Sequence, residues 1–388
     1  MLFRSAATSN IQPSSIVASL NAGTSVSIST GGASPGSDTG DITVSNTIAK
    51  TTGGNATLTL SAYGSVILNA DITSSTGTLG LTVTASNGSF SGSGNLSLNG
   101  GALSITQATA GTYSGVISGT GTTLTKAGAG ALTLSGNSSY TGATTISAGV
   151  LKLGSAGSGS NTPLGTTGAG TTVSSNGTLD LAGFTLATAE ALTLNGTGTS
   201  SIGALMNSGS AATYSGLVTL GSASSIIGGT GTITLSNVST ITGSGFGLTL
   251  GGAQGGTISS IIGTGTGTLT KQDAGTWNLA GVNTFTGNTT VSTGTLAITG
   301  SGQLNSGSYS GSITVSSGAV FTWSSSANQT FTTLAAGAGT INLNGSSGVV
   351  TISGDQEFTG TLNVAQSVIV TGATNSVNTG LGKSDAIN

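Results

Sequence analysis

Asp355 and Glu357 stand two residues apart. On a strand that spacing puts both carboxylates on one face, about 6.6–7 Å apart along the backbone, a separation that glycoside hydrolysis can use. The pair adjoins Phe358-Thr359-Gly360, and a solvated turn is the simpler reading. Asp38 and Asp41 lie in SPGSDTGD, where Asx turns account for them more simply than a Ca²⁺ site. The chain has no His and no Cys, which excludes a Ser-His-Asp triad, a Cys-His pair and a His-ligated metal. A Ser-Lys pair could draw on Lys50, Lys126, Lys152, Lys271 or Lys383. Lys126 and Lys271, however, occupy one position of a repeated phrase, so a structural place at the surface is expected for them rather than catalysis. The run GTGTGT at 263–268 precedes no Gly-Lys-Ser/Thr and is no phosphate loop. No catalytic residue, metal site or cofactor is expected.

The phrase that holds those lysines is LTKAGAGALTLSGNSSYTGATTISAGVLKL at 124–153 and LTKQDAGTWNLAGVNTFTGNTTVSTGTLAI at 269–298. The two share 14 of 30 positions at a constant offset of 145, without a gap. Its shared landmarks are Lys126, Gly130, Leu134, Gly136, Tyr140, Gly142, Gly149 and Leu151. In the second copy these are Lys271, Gly275, Leu279, Gly281, Phe285, Gly287, Gly294 and Leu296. A repeat of this kind means stacked structural units. A shorter motif recurs too: an aromatic, then Ser or Thr, then Gly, beginning at Phe90, Tyr113, Tyr140, Tyr214, Phe285, Tyr309 and Phe358. Corner packing of the ring, with Gly permitting a tight bend, is the role expected of it.

The elements that must position these residues are short strands. Leu58–Leu60, Leu81–Val83, Leu132–Leu134, Ile233–Leu235 and Ile341–Leu343 are typical apolar pairs that alternate with Thr or Ser and are bounded by Gly or Asn. Helical periodicity is absent; 186–194 comes nearest to it. The triplets recur roughly every 8 to 12 residues, the spacing of short strands separated by turns. They do so over the whole chain, too often for one sandwich or barrel. The expected fold is all-β, a single-stranded right-handed parallel β-helix (β-solenoid), with inward Leu, Val and Ile ladders and outward Thr and Ser. Coils of roughly 20 to 25 residues would make about 16 to 19 turns and a rod on the order of 80–90 Å.

Composition limits the partners. The six basic residues cannot form a phosphate-neutralising stripe, so nucleic acid is not expected, nor an anionic membrane surface. No apolar run approaches the roughly 20 residues that span a bilayer. The near-neutral charge of −3 and ordered apolar patterning oppose disorder despite 69 Gly.

Gly-Thr-Gly-Thr-Leu-Thr-Lys at 265–271, then Gly275, Leu279-x-Gly281, Phe285-Thr286-Gly287-x-Thr289 and Gly294-Thr295-Leu296, resembles the autotransporter-associated β-strand repeat, also called the passenger-associated transport repeat. Residues 120–153 resemble it equally, and weaker likenesses lie at 309–321 and 358–364. The stretch from Ile16 to Ser86 is similar in composition to coils of filamentous-haemagglutinin-type adhesins. The resemblance implies a non-enzymatic, exported stalk or adhesin fragment of a Gram-negative bacterium, at the cell surface or secreted. Its partners would be a host-cell or environmental surface, glycans or matrix proteins, and an outer-membrane translocator. No signal segment or barrel is evident, so the chain is expected to be a piece of a longer protein. A β-helical carbohydrate-active enzyme is the alternative, and an ice-binding solenoid the lesser one, because Thr-x-Thr steps look irregular along the chain. The expected organisation is an irregular 1–15, haemagglutinin-like coils over 16–110, repeat-bearing coils over 111–370 and an irregular 371–388. Open strand edges at the ends predict end-to-end self-association.

Overall fold

A computed structural model describes residues 2–5, 10–31, 39–334, 337–345, 347–354 and 358–371. Asp38, Asp355, Glu357 and Lys383 lie outside them. The chain is a parallel β-solenoid of about 15 turns. It divides into two compact units, Met1–Thr193 with Gly198–Ser201 and Leu194–Thr197 with Ile202–Asn388, each holding one copy of the repeated phrase.

In the first unit, alternation places one set of side chains inside every coil. One inward column runs Val26, Leu58, Leu81, Leu103, Leu124, Thr144 and Thr171. Its neighbour runs Ile28, Leu60, Val83, Ile105, Lys126, Ile146 and Val173. A second face stacks Val44, Leu68, Gly92, Tyr113, Leu134 and Leu153. A third stacks Ile48, Ile72, Leu96 and Ile117. From Leu58 the first column advances to Leu81, Leu103, Leu124 and Thr144, each coil slightly shorter than the last. The coils from Val26 to Leu58 and from Thr144 to Thr171 are longer than any of these. Such insertions are why the turns are fewer than the expected 16 to 19.

The outward positions between these columns also line up. Ser27, Thr59, Thr82, Ser104, Thr125, Thr145 and Thr172 form one unbroken row of seven hydroxyls. Ser29, Ser61, Thr84 and Thr106 form a second, shorter row beside it on the same strands. The irregularity expected from linear spacing is therefore corrected: coils of unequal length still bring Ser or Thr to the same place, because backbone pairing, not residue count, sets the register.

The second unit repeats the scheme. Tyr214, Leu235, Ile258, Leu279, Ile298, Trp323 and Leu343 make one inward column. Ile226, Leu250, Lys271, Val291 and Val315 make another.

One local expectation fails. The helix Pro13–Asn21 begins inside the segment 1–15 expected to be irregular, which also contains the strand Leu2–Ser5. Pro at the first helical turn and the buried pair Ile16 and Leu20, four apart, explain it. Asn21 Oδ1 then accepts from the backbone N–H groups of Thr51 (2.8 Å) and Thr52 (3.2 Å), tying the helix end to the next coil. The stretch 186–194, which came nearest to helical periodicity, is not helical, in line with the absence expected; Leu192–Gly196 is a strand, its Leu-x-Leu alternation serving the sheet.

Candidate functional site: the repeated phrase and its buried lysines

Both copies of the phrase fold into the same object, one full coil and the start of the next. In the first, Leu124 pairs with Thr144 and Lys126 with Ile146, while Leu132 pairs with Leu151 and Leu134 with Leu153. In the second, Leu269 pairs with Thr289 and Lys271 with Val291, while Trp277 pairs with Leu296 and Leu279 with Ile298. Each pairing in the second copy is the counterpart of one in the first, position for position. Identical coil lengths explain why the copies align without a gap.

The lysines are not at the surface. Lys126 and Lys271 are fully buried, each in an inward column between aliphatic side chains. The Lys126 ammonium donates to the carbonyls of Ala127 (2.9 Å), Gly128 (2.9 Å) and Ala148 (3.1 Å). The Lys271 ammonium donates to Gln272 (2.7 Å), Asp273 (2.6 Å) and Thr293 (2.9 Å). An ammonium has three donors, and each finds one acceptor. Buried Lys50, outside either copy, does the same with Thr52, Gly53 and Thr76. The expected surface role is thus corrected, although a structural role stands. The overlooked signal was parity: in Leu-Thr-Lys the lysine shares the inward face with the leucine. Lys152, one step out of phase between Leu151 and Leu153, does face outward and pairs with Asp180 at 3.6 Å.

Burial pulls the Lys126 ammonium down to about 8. It does the same to Lys271, against the opposing pull of the Asp273 carboxylate. The three carbonyl acceptors tie each ammonium to its own coil and to the one that follows.

The glycines mark places where coils touch. A Cβ on Gly142 would lie 2.4 Å from the Thr122 carbonyl oxygen, and one on Gly287 2.3 Å from that of Gly267. At Gly136 and Gly281 the same measure is 2.2 and 2.4 Å, and at Gly130 and Gly275 it is 2.2 and 2.5 Å. Gly149 and Gly294 instead adopt φ of +69° and +68°, which favours glycine. The glycine of the aromatic motif therefore admits a neighbouring coil more than it permits a bend; Gly92, with φ +128°, does both, a Cβ there lying 2.1 Å from the Leu68 carbonyl oxygen.

Six of the seven motif aromatics share burial, not position; Phe358 is only half-buried. Phe90, Tyr113, Tyr140, Tyr214, Phe285 and Tyr309 are all buried. Tyr140 and Phe285 sit at irregular corners as expected, whereas Phe90, Tyr113, Tyr214 and Tyr309 lie in strands. Tyr140 OH bonds Thr144 Oγ1 at 2.6 Å, and Phe285 meets Tyr309 edge-on at 5.8 Å.

Of the isolated acids, Asp41 does more than close a local turn: its carboxylate accepts from Ser65 N–H (2.6 Å) on the following coil and from the Thr39 hydroxyl (2.6 Å). Glu190, which no motif flagged, is buried and accepts from the Thr171 hydroxyl at 3.2 Å; burial raises its carboxyl to about 7 against that bond. Among the described residues no three acids gather as a metal site.

The passenger-associated-transport-repeat family matches the chain twice, at 124–153 and 269–298, the two segments built above. That repeat belongs to passenger domains of autotransporters, which are exported to the cell surface. No curated protein and no solved structure matches the chain.

Proposed function

We propose that the chain is part of a surface-exposed or secreted passenger solenoid that acts in display and adhesion and performs no chemistry. One observation carries this reading: in each segment that matches the transport repeat, the lysine and three of the shared glycines serve coil-to-coil contact. Function then falls to what the coils present outward. An uncharged partner, a glycan or matrix polymer on a cell or environmental surface, suits the hydroxyl rows of the first unit, which carry no charge. An outer-membrane translocator, fused or separate, would deliver it.

Protease treatment of intact cells expressing the gene tests export. Loss of the chain from intact cells is expected; protection until lysis would overturn the proposal. Release of reducing sugar from a polysaccharide panel by the purified chain would overturn the non-enzymatic part.

A second reading, ordering of water or ice, has one observation in its favour. None of the eleven hydroxyls in the two rows makes a side-chain hydrogen bond among the described residues. Thermal hysteresis by the purified chain would establish it, and melting and freezing points that coincide would dismiss it. The open-edge reading also predicts end-to-end association. Sedimentation independent of concentration would count against that.

A further inference from the structure

The three buried lysines share a feature that ordinary packing does not require. Each ammonium takes two acceptors from the three residues that follow it in its own coil and the third from the next coil. For Lys126 the third is Ala148; for Lys271 it is Thr293, at the same separation; for Lys50 it is Thr76. The aliphatic residues in the same columns, Ile105 and Ile146 beside Lys126 and Leu250 and Val291 beside Lys271, ask nothing of the next turn except contact.

We propose that each buried lysine is a coupling device that makes the closure of its own coil depend on the docking of the coil that follows. If the following coil opens, the ammonium loses a third of its acceptors while still enclosed. A buried charge left short of partners is costlier than a buried alkyl group left beside a gap. The lysine coil therefore opens too, and the disturbance spreads toward the N-terminus. In a solenoid stability is close to a sum of nearest-neighbour terms, so one strengthened junction decides how far an opening travels. The device is directional, because in all three cases the completing carbonyl comes from the C-terminal side.

The test is hydrogen exchange on the full chain, read by peptide mass spectrometry in four proteins: wild type, Leu296→Ala, Lys271→Met and the double variant. Leu296 is fully buried on the coil after Lys271, so its truncation opens that coil. In the wild-type background, faster exchange is expected at 295–298 and also at 269–271. With Lys271→Met, 295–298 should stay fast while the acceleration at 269–271 falls by about tenfold, the weight of one hydrogen bond to a charged group. Equal spread in both backgrounds would overturn the proposal, since a merely structural lysine would change global stability without changing how far the opening travels. Should Lys271→Met fail to fold, Leu296→Ala alone is measured at pH 6.5 and 9.5, with rates corrected for intrinsic exchange. The spread is expected to shrink at the higher pH; Asp273, the charged group beside Lys271, is common to both arms. An unchanged spread would equally refute the coupling.

Discussion

The copy at 124–153 and the copy at 269–298 keep one backbone and solve the same polar problem differently. Thr144 and Thr289 correspond, and both are fully buried. In the first copy the Thr144 hydroxyl bonds the hydroxyl of Tyr140, from its own corner, and also lies 3.3 Å from the Leu164 carbonyl. In the second that corner is Phe285, which has no hydroxyl, and Thr289 bonds Tyr309 OH at 2.8 Å, supplied by the next coil. Tyr309 also donates to the Gly287 carbonyl. Gly128, at φ +77°, corresponds to Asp273, at φ +62°, where the carboxylate offsets an unfavourable backbone by accepting from Gly252 N–H at 2.7 Å. Leu132 corresponds to Trp277, whose indole N–H reaches the Gly251 carbonyl at 2.9 Å; its ring crowds Gly256, where an added Cβ would lie 2.9 Å away. What the copies share is therefore register, coil contact and the lysine cage. The partner of a buried polar group is free to move from one coil to another, provided some coil supplies it.

The largest effects should fall where the copies agree. Gly142→Ala and Gly287→Ala each drive a Cβ into a backbone carbonyl of the preceding coil, and each should cost about 3 kcal/mol in urea unfolding. A much smaller loss at either position would mean that coil contact is not what the shared glycines secure. Trp277→Leu imposes the first copy's residue on the second. It empties volume opposite Gly256 and strands the Gly251 carbonyl, for an expected loss of about 2–3 kcal/mol. The reverse change, Leu132→Trp, forces a larger side chain into a fully buried site and should cost about 1–3 kcal/mol.

The tyrosines separate the two solutions. Tyr309→Phe should cost about 1–2 kcal/mol, because it leaves the Gly287 carbonyl without that donor and the Thr289 hydroxyl without that acceptor. Tyr140→Phe should cost less, because Thr144 keeps the Leu164 carbonyl. Adding Phe285→Tyr to Tyr309→Phe rebuilds the first copy's arrangement and should recover part of the loss; no recovery would refute the equivalence of the two solutions. Asp273→Gly should cost only about 0.5 kcal/mol, the relief of left-handed backbone nearly offsetting the lost hydrogen bond.

The pH dependence is subtler. The lysines titrate near 8 in the fold and near 10.5 when unfolded, so between those values the unfolded chain holds more protons and stability rises with pH. Burial raises Tyr113, Tyr140 and Tyr309 above the ordinary value of 10, so their contribution is lost as pH climbs beyond it. A rise in urea midpoint is expected between about pH 8 and 10, and it should flatten in the Lys126→Met, Lys271→Met double variant.

Much of this was legible in the linear chain. Leu58-Thr-Leu60 and Leu81-Thr-Val83 show which side chains enter the core, and the ungapped offset of 145 announces equal coils. The buried lysines were legible too, through their parity with Leu124 and Leu269. Charge argued against that parity, and charge was the weaker guide because backbone carbonyls inside a turn can solvate an ammonium. The hydroxyl rows were illegible. The coil from Thr59 to Thr82 is longer than the one from Thr125 to Thr145, and nothing local says that both end at the same place. Helix Pro13–Asn21 was missed because its apolar stripe is short, Ile16 and Leu20 alone.

The linear chain suffices to specify a parallel β-solenoid, the residues that point inward and the places where coils must approach without a Cβ. Those properties reside in period-two alternation and in glycine, both local. It took the folded coils to settle that Ala148 and Thr293 complete the lysine cages, that Tyr309 rather than Phe285 serves Thr289, and that the hydroxyls fall into rows. Each of those partners sits a whole coil away, and its arrival depends on the summed geometry of the turns between.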